Sequence, residues 1–163
     1  MILPRIVRPH FPPGYVDHPE TFVAWEHAEQ RLVEAKNYWL CSTRPNGHPH
    51  AIPKWAVWVT GRLYFDGSPA TRHARNLAAN PQVTVHLESG DAALILDGVA
   101  QALTRPDPSL AQAVAQAYRA KYAALGYAPE ANQWDNGGLY DIAPRHIIAW
   151  TTFFKDPTKF VFD

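Results

Sequence analysis

Cysteine is nearly absent from this chain. Cys41 stands alone among 163 residues, which excludes an intramolecular disulfide framework and any zinc site built on several thiolates. Net charge is absent as well: fifteen Lys and Arg balance fifteen Asp and Glu, and the pI lies near 7.1. Nothing in the overall electrostatics draws such a chain to nucleic acid or to an anionic membrane, so any anion must be held by local groups. Long apolar runs are missing too. Ile2 to Val7 is too short to cross a bilayer, and residues 92–103 are interrupted by Asp97 and Gln101. The first residues lack the apolar region of a signal peptide, which sets a cytoplasmic location as the expectation. The chain has no Walker loop, no Rossmann glycine fingerprint and no convincing Ser-His-Asp arrangement, which removes support for nucleotide hydrolysis and acyl transfer.

The length and an apolar content of 47% suit one compact domain spanning residues 1–163, with no repeat or linker. Pro4, Pro9, Pro12, Pro13 and Gly14 mark residues 1–17 as an arm that can cross a partner subunit. Asp17 and Glu20 have capping-box spacing, and Phe22, Trp25, Ala28, Leu32 and Val33 recur at helical spacing, so a helix is expected over 18–36. Strands are expected at 38–43, 54–59, 62–66, 82–87, 92–104, 139–142, 145–152 and, as a last edge, 158–162. Gly98 inside the long strand signals a bulge or a barrel bend. Asp107-Pro108 starts a second long helix that Gly126 stops, giving 108–125. The fold class is mainly β with peripheral α: a closed or partly closed antiparallel barrel of six or seven strands.

The most informative stretch is residues 43–81. Gly47 and Thr60-Gly61 are turn signals, the latter joining two strands as a two-residue hairpin. Beyond Gly67, Ser68 to Thr71 lead into a short basic helix with Arg72, His73 and Arg75, closed by Asn80-Pro81. A helix start presents free N–H groups and a positive dipole end, so a phosphate there meets donors, hydroxyls and a guanidinium together. Taken alone, Thr71 and Arg72 fit an anion site or an ordinary solvated turn. Lys54 likewise fits a ligand role or the outward position of an alternating strand, and Trp55 is by base rates a core residue. His48 and His50 have a spacing used by some metal sites, but no third ligand accompanies them. Cys41 lies in an apolar strand and reads as a small core filler rather than a nucleophile.

The pattern T-x-x-x-G-x-P-H-x-x-P-x-W from Thr43, then L-Y-F-x-x-x-x-x-x-R-x-A-R-N-L-x-x-N-P from Leu63, then a strand from Gln82, resembles the pyridoxamine 5'-phosphate oxidase-like superfamily. These are the FMN-binding split barrels of Greek-key type and their relatives that bind the deazaflavin coenzyme F-420. The resemblance implies a flavin-dependent oxidoreductase that binds FMN and transfers hydride to or from a small molecule. Its alternatives are a reductase using the deazaflavin, or a non-catalytic module for flavin or haem. By resemblance Ser68, Thr71 and Arg72 hold the phosphate with His73 and Asn76 behind them, while Phe65, Asp66 and Gly67 lead into that turn. Ile52, Pro53, Lys54 and Trp55 border the ring, with Lys54 as the cation that favours its reduced, anionic form. Arg72-His73 replaces the family's arginine-lysine pair, leaving less fixed charge and an expected loss of FMN affinity as His73 deprotonates near pH 6 to 7. No protein nucleophile, catalytic side chain or metal is implied. The family also implies a homodimer with the cofactor at the interface, where Trp134, Trp150 and the TKFVF segment close the site. The C-terminus DPTKFVFD lacks the closing segment of the true oxidase, which argues against pyridoxamine phosphate as substrate.

Overall fold

The computed structural model describes residues 3–162; Met1 and Ile2, the start of the expected arm and of the run Ile2 to Val7, and the terminal Asp163 lie outside them. Its centre is one antiparallel sheet of nine strands in the order β1-β9-β8-β7-β6-β2-β3, with β4 and β5 joined through β8. The strands are β1 Arg5–Val7, β2 Tyr38–Thr43, β3 Pro49–Lys54, β4 Ala56–Val59, β5 Arg62–Asp66, β6 Gln82–His86, β7 Leu94–Leu103, β8 Leu139–Ala149 and β9 Thr158–Val161. Three helices accompany them: α1 Trp25–Glu34, α2 Arg72–Ala79 and α3 Pro108–Tyr122. β8 pairs with β5 along Leu63 to Asp66 and with β9 along His146 to Ala149, so one long strand splits the sheet into two branches. Because β3 runs through Trp55 into β4, the path β4-β5-β8-β7-β6-β2-β3 returns to its start as a split barrel.

The closed path has seven strands, within the expected six or seven, and with β1 and β9 the sheet has nine; the strand layout differs from expectation in two places. First, the expected strand 54–59 is the end of one strand and all of another: β3 pairs with β2 around Gly47 (φ 83°), and the chain breaks register at Trp55. Pro49 and Pro53 hide this strand from a sequence pattern, and they are tolerated because β3 ends the hydrogen-bonded path, where a missing N–H costs no ladder bond. Second, residues 5–7 of the supposed arm form β1, which pairs with β9 and makes β9 an interior strand rather than an edge. The two expected strands 139–142 and 145–152 are one strand, β8.

Other expectations hold. Thr60 (φ 50°) and Gly61 (φ 80°) make the tight β4–β5 hairpin. The β7–β8 register shifts at Asp97/Gly98, and a Cβ on Gly98 would lie 2.4 Å from Ala143 O, so only glycine fits this bulge. Asp107 caps α3 through Ser109 N and Leu110 N, and a 3-10 turn over Ala123–Leu125 carries it to Gly126 (φ 87°). The first helix is shorter than expected. Residues 18–24 lie outside any helix or strand, with Glu20 N and Thr21 N bonded to Lys155 O and Val23 N to Thr158 Oγ1, while Asp17 accepts from Gly14 N instead of capping a helix.

Two cores flank the inner wall. The barrel interior is filled by Leu40, Leu63, Phe65, Leu96, Ile142, Ile147 and Phe160, closed at one end by Trp25, Ala28 and Leu32 of α1. On the outside, α3 packs Val114, Tyr118 and Tyr122 against Val57, Tyr64, Trp134 and Leu139. β4 and β5 are therefore buried on both faces, which explains their aromatic side chains on both sides.

Candidate functional site

A cleft of about 730 Å³ opens where the β3–β4 break, the end of β5 and the loop 127–138 meet. Trp55 supplies one apolar wall. Its ring stacks on Tyr122 at 4.8 Å and 13°, and the Tyr118 hydroxyl donates to Trp55 O and Tyr64 O, both at 3.3 Å, so the wall is fixed from below by α3. Trp134, 1% exposed, supports the opposite side from a 3-10 turn over Ala131–Trp134. The Tyr122 hydroxyl takes a hydrogen bond from Ala56 N (3.1 Å) and reaches Ala56 O (2.8 Å), capping the backbone where the register breaks.

The rim is built from backbone and four polar side chains, Lys54, Asp66, Tyr127 and Gln133. Gly67 N donates to Gly138 O at 2.9 Å, and a Cβ on Gly138 would come within 3.3 Å of Gly67 O; with Gly137 and Gly138 both at positive φ, this close crossing requires glycine. Lys54 Nζ donates to Asp66 O at 2.8 Å and keeps two N–H directions free. Burial lowers its pKa from the ordinary lysine value, opposed by the nearby Asp66 charge. Asp66 Oδ2 accepts from the Tyr127 hydroxyl and from Gln133 Nε2 (3.3 Å), and burial followed by this contact raises the Tyr127 pKa, keeping the phenol protonated.

Of the residues expected in a site, Pro53, Lys54, Trp55, Asp66, Gly67 and Ser68 line this cleft together. The other six do not line it. Ile52 packs on the barrel core, and Phe65 is buried there, stacked on Tyr140 at 4.8 Å. Thr71 is the N-cap of α2, accepting from Ala74 N at 3.4 Å and donating to Ser68 O at 2.9 Å. Arg72 opens α2, exposed and without a hydrogen bond to any described residue. Asn76 is buried and gives Nδ2 to Ser42 Oγ (3.0 Å), with Oδ1 unpartnered.

His73 departs from expectation in its charge. It is 5% exposed, contacts Thr71 Oγ1 through Nε2 at 3.2 Å, and burial, then Lys54, then His50 push its pKa down to about 4. In the unliganded protein it is therefore a neutral imidazole near pH 6 to 7, which corrects the expectation that it carries a charge to lose in that window. Within one chain Trp150 packs edge-on against Phe153 at 5.0 Å, and Phe160 and Phe162 pack on Trp25, so neither Trp150 nor the TKFVF segment lines the cleft. Sequence reasoning passed over Tyr127, Gln133, Asn136, Gly137 and Gly138, which lie between the expected helix 108–125 and the expected strand 139–142. The Gly-Gly pair following an amide-rich run was the available signal.

The sheet topology defines a split β-barrel protein with an aromatic cleft beside a basic helix start. The chain belongs to the pyridoxamine 5'-phosphate oxidase family, whose sequence model matches residues 24–151. No curated protein matches the sequence. Among solved structures, a conserved hypothetical protein from Mycobacterium tuberculosis is 18% identical with a TM-score of 0.67, covering 82% of this chain and 88% of that one. An F420 reductase is 22% identical (TM-score 0.55; 80% and 98% covered). A haem binding protein from Mycobacterium smegmatis is 19% identical (TM-score 0.66; 90% and 60% covered). At these identities the likeness establishes a shared fold. No helix among the described residues is long and apolar enough to cross a membrane.

Proposed function

We propose that this protein is a flavin-dependent oxidoreductase that binds FMN in the cleft walled by Trp55 and Trp134, as a cytoplasmic homodimer acting on a small molecule. The observation that carries this is the juxtaposition of planar aromatic walls with a half-buried ammonium, Lys54, and with Ser68, which lines the cleft and leads into the start of α2 beside it. Trp55 and Pro53 suit the faces of a tricyclic ring, the glycine crossing lets backbone approach it, and Lys54 offers two N–H groups to its oxygens. Ser68, Thr71 and the guanidinium of Arg72 suit a phosphate at the first turn of α2. When bound, the flavin supplies hydride transfer; the protein orients the ring, excludes water with its tryptophans and favours the reduced anion electrostatically through Lys54.

The deazaflavin coenzyme F-420 is the runner-up, because a family neighbour by fold is an F420 reductase. The cleft favours FMN. Lys54 is the one cation and Asp66 the one anion of its lining, so a long polyanionic tail meets no net positive charge there. A haem module is less well supported, since the lining holds no histidine, cysteine or methionine to ligate iron. Fluorescence titration with FMN and with F-420 tests the assignment: micromolar or tighter FMN binding supports it, preference for F-420 moves the protein to the second class, and binding of neither contradicts both. Light scattering tests the dimer, which a stable cofactor-binding monomer would contradict.

A further inference from the structure

Asp66 puts a carboxylate inside a cleft that otherwise suits an anionic cofactor. Its position is built rather than incidental: Tyr127 and Gln133 both donate to Oδ2, and Gln133 Nε2 also donates to the Tyr127 hydroxyl at 2.8 Å. Oδ1 has no partner among the described residues and is not buried. The carboxylate is thus fixed on one side and open on the other. Asp66 lines the cleft together with Trp55 and with Tyr127, whose ring stands 6.2 Å from that of Trp55. Lys54 does not neutralise that oxygen directly, because its ammonium donates to the backbone carbonyl of Asp66 at 2.8 Å.

We propose that Asp66, oriented by Tyr127 and Gln133, is the specificity residue of the cleft and selects a flat substrate presenting an N–H donor, cationic or neutral, over one presenting a carboxylate or phosphate. The proposal rests on the cleft being the site of the oxidoreductase described above. A cationic donor meeting Oδ1 gains a charge-assisted hydrogen bond in a partly desolvated chamber. An anion at the same place meets a like charge held in position by two donors, and it cannot push that charge aside without breaking both bonds. The class of substrate is therefore an aromatic amine, amide or amidine-like molecule.

Three probes of one shape and different charge decide it: benzamidine, benzamide and benzoate, each titrated calorimetrically into the purified protein with and without saturating FMN. Benzamidine is expected to bind about tenfold or more tighter than benzoate, with benzamide between them, the spread that one charge-assisted bond supports. In Asp66→Asn, which keeps an acceptor for Tyr127, the three affinities converge to within about threefold. Tyr127→Phe preserves the order. Benzoate binding as tightly as benzamidine to the unaltered protein overturns the proposal, as does a ranking that survives in folded Asp66→Asn. The ranking in the unaltered protein needs no variant to fold. Failure of FMN to bind at all would count against the oxidoreductase, while the three probes would still decide the role of Asp66.

Discussion

Replacing Tyr122 with phenylalanine removes one oxygen from beneath the cleft and leaves its ring in place. That oxygen accepts from Ala56 N at 3.1 Å and lies 2.8 Å from Ala56 O and 2.9 Å from Lys36 O, at the point where β3 gives way to β4. A hydroxyl donates one proton, so the change deletes one acceptor and one donated bond at a residue that is 0% exposed. Ala56 O keeps Lys121 Nζ at 3.3 Å, but the Ala56 N–H loses this acceptor in a dry environment. A buried donor left without its acceptor costs about 1 to 3 kcal/mol and a lost bond about 1 more, so the expected loss is about 2 to 4 kcal/mol. For a domain of this size that lowers Tm by about 4 to 16 °C, read by circular dichroism or scanning fluorimetry. Tyr127→Phe is the control, because its hydroxyl faces the cleft and Asp66 rather than a break in the sheet; its Tm should fall by less than half as much. A shift below about 2 °C for Tyr122→Phe, or a larger one for Tyr127→Phe, would refute the claim that Tyr122 satisfies the broken backbone.

Arg72→Ala should weaken FMN binding by roughly tenfold or more, the worth of a charge-assisted contact, without moving Tm, since the side chain is exposed; unchanged affinity by fluorescence titration would remove Arg72 from the site. Gly98→Ala should cost about 3 kcal/mol in urea unfolding, because its Cβ would meet Ala143 O at 2.4 Å and Ile142 Cγ2 at 3.0 Å, and a cost under about 0.5 kcal/mol would show that the bulge can relax. His73 has a folded pKa of about 4 against 6.5 ordinarily, so between those values the unfolded chain binds more protons than the folded one and stability falls as pH is lowered through that window. His73→Gln should flatten that slope in urea midpoints taken from pH 4 to 7, and it should remove no inflection from FMN affinity between pH 5.5 and 8.5.

How much of this was legible in the sequence depends on which signal each element carries. β5, the β4–β5 hairpin, α3 and the Gly98 bulge announce themselves through turn chemistry, capping and strand glycine, all of which are local. β3 does not, because Pro49 and Pro53 oppose a strand and only its place at the end of the hydrogen-bonded path excuses them. α1 fails in the opposite direction: Phe22 and Asp17 fit a helical pattern, yet Lys155 O and Thr158 Oγ1 take the backbone N–H groups of residues 20–23 from more than a hundred positions away and keep them out of the helix. The same distinction divides the site. Lys54, Trp55, Asp66, Gly67 and Ser68 lie within one contiguous pattern and were readable from it, whereas Tyr127, Gln133 and the Gly137-Gly138 crossing reach the cleft only because α3 and β8 bring their loop back over β5. His73 was visible as a residue but not as a neutral one, since its pKa is set by burial and by Lys54 and His50 across the fold.

Amide chemical shifts of labelled protein during an FMN titration test the central claim most directly. The shifts should concentrate on the backbone of Trp55, Gly67, Gly137 and Gly138 and on the indole N–H of Trp55 and Trp134, with a second set at the start of α2 from Thr71 to His73. Shifts confined to β6, β7 and β8 around Thr84, Asp97 and His146, with the cleft unmoved at saturation, would contradict the account.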